Sequence, residues 1–512
     1  MSTTLTAPVP TSAARATSLV PEQAALQLVP MSEVFRWRVL PLRATATTLE
    51  VATSNTANFE LWDELRLATG LAIIPRHIDT EQLDGAIKDA FGLGGGTIEE
   101  LLRNGLAGAP AEPTEQDDGE DQAQNASVIR LVQELLGEAV RQRASDLHLE
   151  PEEKGLSVRF RVDGVLRTEP VPAEIHQFRL AIVSRLKILA KLNIAEKRLP
   201  QDGRFELRVE GRAIDVRTSI IPMLHGEGVV LRLLDKNRSL GNMQKLAFPR
   251  EIAEPFGRLI RRPHGIVLVT GPTGSGKTTT LYSAMAELRG PNLKIITVED
   301  PVEYQLPGIN QIQAHAKIGL TFSAGLRSIL RHDPDVILIG EIRDQETAQS
   351  AIQASLTGHL VFSTLHTNDA CTALTRLIEM GIEPYLVAST LEGVLAQRLV
   401  RALCPHCRRP VSSDSVELPV DFPQPRPKQL WEPRGCDDCR GTGYAGQVAI
   451  GELLVTDAGL RQLCIERANA GQLREYALAR GLLTLRACGW KKVMEGVTSV
   501  EEVVRVVSDC DQ

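Results

Sequence analysis

Four short apolar runs between residues 267 and 365 stand apart because they do not alternate. VLVT, IITVE, DVILIG and LVFSTL are almost wholly apolar, as strands are when a parallel sheet is covered on both faces. Elsewhere other periods rule. LSVRFRV alternates and runs into Asp163-Gly164, a hairpin signal, and RAIDVRTSII and GEGVVLRLLD follow as strands. VIRLVQELLGEAVRQRA spaces its apolar residues at helical intervals, and a second helix is expected over about residues 177–194. Nearer the N-terminus, VLPLRATATTLEVATSN, NFELWDELRLATG, LAIIPRHI and TEQLDGAIKDAFG interleave the two periods. Past residue 450 the pattern is helical.

These patterns predict a multidomain α/β protein. The expected pieces are a flexible tail (1–19), a small N-terminal α/β domain (20–103), a linker (104–125) and a second α/β domain (126–238). A parallel-sheet domain (239–398), a cysteine-bearing module (399–450) and a helical C-terminal subdomain (451–512) complete the chain. At 512 residues the chain is too long for a single core. The linker follows from composition: residues 104–129 hold six acids and no Lys or Arg, which cannot form a core. The rest is ordinary globular composition, 43% apolar and 24% charged, and a net charge of -7 argues against general nucleic-acid binding. The N-terminus lacks the apolar core of a signal peptide. No apolar run approaches the roughly 18–20 residues of a membrane span, so a cytosolic chain is expected, touching a membrane only through partners.

The first apolar run leads into Gly271-Pro272-Thr273-Gly274-Ser275-Gly276-Lys277-Thr278-Thr279 and then a helical pattern that stops at Gly290-Pro291. Glycines let successive N–H groups turn into one concavity, Lys277 brings charge to the outer phosphates, and Thr278 offers a hydroxyl to Mg²⁺. The helix that follows points its positive end at the same anion. A nucleoside triphosphate such as ATP is the implied ligand.

Two acidic clusters end later strands. Glu299-Asp300-Pro301-Val302-Glu303 follows one, and Gly340-Glu341-Ile342-Arg343-Asp344 follows another. Glu341 fits the acid that holds Mg²⁺ or its waters, and the first cluster can orient or deprotonate an attacking water. A single acid after a strand is usually a helix cap, but two such clusters beside a phosphate loop point to hydrolysis. His359 and His366 bracket the last apolar strand, where they are either structural hydrogen-bonding groups or sensors of the terminal phosphate. Arg217 and Arg232 lie on the strands before the phosphate-loop domain, and Arg327 and Arg331 sit four apart on a helix. Each is either solvated or a cation for the γ-phosphate.

Eight cysteines divide by spacing. Cys404-Pro-His-Cys407 and Cys436-Asp-Asp-Cys439 form two C-x-x-C pairs, while Cys371, Cys464, Cys488 and Cys510 are scattered. In a cytosolic chain the pairs read as four thiolates around a structural Zn²⁺, with no open position for catalysis.

Together GPTGSGKTTT, ITVEDPVE, LRHDPDVILIGEIRD and TGHLVFSTLHTNDA resemble the Walker A, Asp box, Walker B and His box of the secretion ATPases, the hexameric family of type II secretion, type IV pilus assembly and DNA uptake. The resemblance extends through ASDLHLEP, FRVDGVLR and LNIAEKRLPQDGRF upstream and MGIEPYLVASTLEGVLAQRLVRALCPHC downstream. The 28-residue gap between cysteine pairs favours the type II branch, with a type IV pilus assembly motor as the alternative. It implies a RecA-like P-loop ATPase domain, a PAS-like second domain, an N-terminal docking domain and a zinc module. It also implies a cytoplasmic homo-hexamer, peripheral to the inner membrane, that powers pseudopilus assembly against platform proteins of that membrane, with no nucleic-acid partner. By motif, Lys277 and Thr278 meet the phosphates and Mg²⁺, Glu303 is the general base, Glu341 supports metal and water, Arg217 and Arg232 are the phosphate-reaching arginines, and His359 and His366 couple hydrolysis to movement. The chain departs from the family at Gly228 and Gln447, where basic residues are usual, and it lacks an RLGxxL cyclic-dinucleotide motif.

Overall fold

A computed structural model describes residues 19–103, 126–235 and 243–507. The expected tail, apart from Leu19, the acidic linker and Cys510 lie outside the described residues. The chain divides into two compact units, Met1–Lys236 and Asn237–Gln512.

In the first unit, β1 (Val39–Ala44) pairs antiparallel with β2 (Thr48–Thr53), and β2 pairs parallel with β3 (Ala72–His77). Leu40, Leu49, Val51, Trp62, Leu65 and Leu83 fill this small core. At Gly92 the backbone turns left-handed (φ +79°), and a Cβ there would meet Val171 Cα at 2.9 Å. The next helix, Gly95–Arg103, sets its first turn against Phe35 and buries Ile98 and Leu101 with Val128 and Leu131 of the helix Ala126–Arg141. The first core ends at this glycine, before the expected boundary at residue 103.

The second sheet of this unit contains β4 (Asp146–Pro151), β5 (Leu156–Val162), β6 (Val165–Thr168), β7 (Gln201–Val209), β8 (Arg212–Met223) and β9 (Gly226–Asp235). It is antiparallel throughout, in the order β6-β5-β4-β9-β8-β7. The alternation of LSVRFRV has its expected consequence: Leu156, Val158 and Phe160 are buried in one core with Ile182 and Leu186 of the helix Arg179–Ala190, and the intervening residues lie on the other face.

The second unit is built on seven strands in the order β12-β11-β13-β14-β10-β15-β18. These are β10 (Gly265–Thr270), β11 (Ile295–Glu299), β12 (Asn310–Gln313), β13 (Val336–Ile339), β14 (Leu360–Leu365), β15 (Leu391–Leu403) and β18 (Tyr444–Val455). The strands from β12 to β15 run parallel and β18 closes the edge antiparallel. All residues of β10, β11, β13 and β14 are buried, as the unbroken apolar runs predict.

Boundaries at 398 and 450 cut through continuous strands, because the β15–β18 ladder runs from Gly393↔Val455 to Leu403↔Tyr444. Residues 404–443 are an excursion between those two strands. It contains a small ladder of β16 (Arg409–Ser412) and β17 (Gln429–Glu432). The C-terminal helices Leu485–Met494 and Val500–Val507 pack back on the same unit. Among the described residues no helix is long and apolar enough to cross a membrane.

One buried ion pair ties the last helix to the sheet. Glu502, fully buried, accepts from Arg401 Nη2 at 2.7 Å, from the Arg401 main chain at 3.0 Å and from Arg505 Nη2 at 2.6 Å. Burial pushes its carboxyl upward, but the donors from Arg505 and Arg401 outweigh this and hold it down to about 2. A depressed carboxyl stabilises the fold above its unfolded value and loses that contribution as pH falls through the folded one. Glu502→Ala, which leaves Arg401 without its carboxylate, is expected to cost about 3–5 kcal/mol at pH 7 in denaturant unfolding. The deficit should shrink as pH falls from 4.5 toward 2. An unchanged deficit across that window would refute the assignment.

Candidate active site

The carboxyl ends of the parallel strands open on a cleft of about 150 Å³, lined by Lys277, Thr278, Asp300, Glu303, Glu341 and His366 among others. Strand ends on this side of an open sheet are where α/β proteins bind ligands. The loop from Gly271 to Gly276 leads from β10 into the helix Lys277–Leu288 and is pressed against β15. Gly271 (φ +146°) and Gly276 (φ +87°) have no room for a side chain. A Cβ on Gly271 would lie 2.5 Å from Gln397 O, and one on Gly276 2.7 Å from Gln397 Nε2. Gln397 clamps the loop from its strand, donating to Ser275 O at 2.8 Å and accepting from Thr280 Oγ1 at 2.7 Å. Its neighbour Arg398 donates to Asn368 O at 2.9 Å, just past the His366 turn.

Lys277 Nζ donates to Gly271 O at 2.7 Å and Pro272 O at 3.0 Å. Burial pulls its ammonium down to about 8, with Arg398 adding to the effect and Glu341 opposing it. A desolvated cation with two neutral acceptors is poised for an anion. Thr278 is exposed at the helix start and lines the cleft, and Thr279 is exposed beside it.

Glu341, two residues past β13, accepts from Arg343 Nη2 at 2.5 Å and stands 3.2 Å from His366 Nε2. Glu303 lines the cleft on the loop after β11, while Glu299 is buried at the strand end beneath it. His359 is not brought to this site. It precedes β14 and bonds to Ala354 O at 2.8 Å through Nδ1, at the opposite end of the strand from His366. Seven residues of extended chain separate the two by about 23 Å, and of the pair it is His366 that lines the cleft. Arg327 and Arg331 do not share a helix as expected: the helix Phe322–Ile329 ends between them, Arg327 is paired with Glu346 of the next helix at 2.5 Å, and Arg331, in the turn that follows, donates to Arg327 O at 2.8 Å.

Arg217 and Arg232 lie in the other unit as direct cross-strand partners on β8 and β9. The register continues the row, with Arg204 opposite Arg217 and Asp146 opposite both Arg232 and Arg161. Like charges facing one another cost about 0.2–1 kcal/mol per pair. Two buried acids offset this: Asp146 accepts from Arg232 Nε at 3.0 Å, and Asp215 accepts from Arg204 Nε at 2.6 Å. The open face of this sheet thus carries an arginine row of which the sequence reading found two members. The space beside Gly228, where the family usually has a basic residue, is filled by the Met223 side chain, 2.4 Å from a Cβ built there.

The four paired cysteines converge. Cys404 and Cys436 sulfurs lie 3.8 Å apart, Cys407 and Cys439 3.7 Å, and Cys436 and Cys439 3.7 Å, all four within 4.8 Å of one another. A tetrahedron of Zn–S bonds of 2.3 Å has S···S edges of about 3.8 Å, so the donor set fits zinc. Main-chain N–H groups of Gly435 and Gly443 point at Cys407 and Cys439 sulfurs at 3.3 and 3.1 Å, as outer donors to thiolates do. Burial instead pushes the separate thiols of Cys371 and Cys488 up, to about 12 and 11. Those two are packing groups rather than nucleophiles.

A family model for the type II/IV secretion system protein matches residues 121–505, three quarters of the chain. The chain belongs to the type II/IV secretion system protein family. An MshEN domain model matches residues 9–97. Type II secretion system protein E of Pseudomonas aeruginosa is 51% identical over 405 residues, covering 79% of this chain and 80% of that protein. The type IV pilus assembly ATPase PilB of Myxococcus xanthus is 44% identical over 489 residues, covering 94% and 86%. Among solved structures, the Legionella pneumophila ATPase DotB matches 78% of this chain and 98% of its own with a TM-score of 0.54 at 22% identity, which speaks to the fold alone. Within this family the chain's activity is ATP hydrolysis coupled to secretion.

The Lys277 environment makes nucleotide binding pH-dependent. A bound triphosphate demands the ammonium form, so binding draws in a proton when the free site is partly neutral. Calorimetry of a non-hydrolysable ATP analogue in buffers of different ionisation heat should show uptake of about half a proton per site at pH 8 and almost none at pH 6. Heats that do not vary with buffer at pH 8 would show that Lys277 stays fully charged.

Proposed function

We propose that this chain is the hexameric motor ATPase of a type II secretion system, using ATP hydrolysis to assemble a pseudopilus on an inner-membrane platform. The observation that carries the chemical part is the convergence of Lys277, Thr278, Glu303 and Glu341 on one cleft. The P-loop N–H groups and Lys277 bind the β- and γ-phosphates. Thr278 and Glu341 would hold Mg²⁺, which neutralises phosphate charge when bound. Glu303 receives the proton of the attacking water, and Glu341 helps orient that water. His366, within reach of Glu341, reports the state of that acid to the turn at Thr367 and Asn368. Arg217 and Arg232 are assigned to the charge that develops on the γ-phosphate.

The zinc assignment rests on the four converging sulfurs and is structural, with no open position. The six-stranded antiparallel sheet with helices on one face supports the PAS-like reading of the second domain, and the N-terminal domain, which the MshEN model matches over residues 9–97, is assigned to docking on the platform from the family resemblance. The protein works in the cytoplasm, reaching the inner membrane through its partners. One observation favours a second reading, a type IV pilus assembly motor: the match to the Myxococcus protein spans 94% of this chain, against 79% for the Pseudomonas type II protein. Identification of the membrane proteins that co-purify with the native hexamer separates the two.

In the full-length protein, Glu303→Gln and Glu341→Gln are each expected to lower steady-state phosphate release by about 10²–10⁴-fold and to abolish export in cells. Glu303→Gln should still bind fluorescent ADP. Undiminished turnover in either variant would remove that residue from the mechanism. Freshly purified protein should hold about one zinc per chain. Chelation or Cys439→Ser should lower the thermal midpoint, and metal content near zero in active, stable protein would eliminate the zinc.

A further inference from the structure

The loop that carries Glu303 runs from Asp300 to Ile309, between β11 and β12, and is fixed from beneath by side chains that no motif names. Gln311, on the edge strand β12, is the hub. Its Oε1 accepts the Leu306 N–H at 2.7 Å, and its Nε2 donates to Tyr304 O at 3.2 Å and to Glu299 Oε1 at 3.1 Å. The orientation of this amide is dictated by chemistry. Reversed, it would set an oxygen against a carboxylate and a carbonyl and a donor against an N–H. Glu299, buried at the end of β11, is saturated by donors: Thr297 Oγ1 at 2.6 Å, Gln311, and the Tyr282 hydroxyl.

Tyr282 links this network to the phosphate loop. It lies four residues after Thr278 on the helix Lys277–Leu288, one turn along and on the same side. Its ring meets Tyr304 edge-on with centroids 4.7 Å apart, and its hydroxyl also bonds to the Glu303 main chain. Burial and then Glu299 push that hydroxyl well above the usual phenol range, so it stays a neutral donor. The Glu303 segment is therefore gripped at its own main chain, at Tyr304 O and at Leu306 N–H. The first of these contacts comes from the helix that begins with the phosphate-loop residues Lys277 and Thr278, and the other two come from Gln311 on β12.

We propose that Gln311 and Tyr282 are positioning residues for hydrolysis, holding the Glu303 carboxylate in register with the phosphate loop. The proposal rests on Glu303 acting on the attacking water. Gln311 is not among the residues that line the cleft and acts through the loop, and Tyr282 lines the cleft wall but spends its hydroxyl on Glu299 and the Glu303 main chain. A displacement of about 1 Å at a reacting group is enough to cost 10²-fold in rate; loss of the Gln311 amide frees two of the three anchoring points, and loss of the Tyr282 hydroxyl frees the third.

The test compares full-length Gln311→Met and Tyr282→Phe, both close in shape to the native side chains, alone and combined with Glu303→Gln. Each single variant is expected to lower kcat by about 10- to 100-fold, with KM for ATP and the affinity for fluorescent ADP within about twofold of the parent. Thermal unfolding checks that the fold persists. In the Glu303→Gln background the same substitutions should cost almost nothing further, because residues acting through one group are not additive. The proposal fails if kcat is unchanged, if the loss falls in KM or ADP affinity, or if the full loss recurs when Glu303 is already Gln. Intact turnover in Glu303→Gln alone would remove both the base assignment and this proposal. An inactive Glu303→Gln beside fully active Gln311→Met and Tyr282→Phe would remove the proposal alone.

Discussion

The structure depends on one constraint, that several like-charged oxygens must be received by main-chain N–H groups and a lysine out of bulk water. The loop that does this curls only where a backbone tolerates positive φ, and it keeps its shape only if something presses on it from outside. Gly271 and Gly276 supply the first condition, and the Gln397 main chain and carboxamide, within a few ångströms of both, supply the second. That is why β15 matters to a site whose named motifs all lie earlier in the chain. The same closeness desolvates Lys277 and weakens its hold on its proton.

The parallel sheet turns that local device into a cleft. β10, β11 and β13 are buried over their whole length, so the acids that can face the opening are carried by the turns past the carboxyl ends of β11 and β13. Glu303 and Glu341 gather there for that reason. The acids then divide by environment. Glu299 is enclosed by donors and stays structural, while Glu303 and Glu341 face the opening.

Charge is organised differently in the first unit. Alternation on antiparallel strands places Arg161, Arg204, Arg217 and Arg232 in one cross-strand row, a repulsive arrangement that Asp146 and Asp215 make tolerable. Near the C-terminus the logic is reversed. There the buried Glu502 is worth keeping because Arg401 and Arg505 surround it, and the ring of donors fastens the last helix to β15.

Much of this was legible in the residues. The unbroken apolar runs identified four strands of the parallel sheet, alternation identified the antiparallel one, and two C-x-x-C pairs identified four sulfurs that meet. Local period and spacing suffice for these because each is set by neighbours in the chain. Strands β15 and β18 were hidden because Gln397, Arg398 and Gln447 interrupt their apolar character, and these residues make sense only against the P-loop and the opposing strand. His359 and His366 look equivalent in sequence, but a strand has two ends and only one opens on the cleft. The sequence by itself determined the phosphate loop, the acids that answer it and the family. Only the tertiary structure decided which residues hold the loop and which acids are buried beneath it, because hydrogen bonds from Gln397, Gln311 and Tyr282 join positions that the chain keeps far apart.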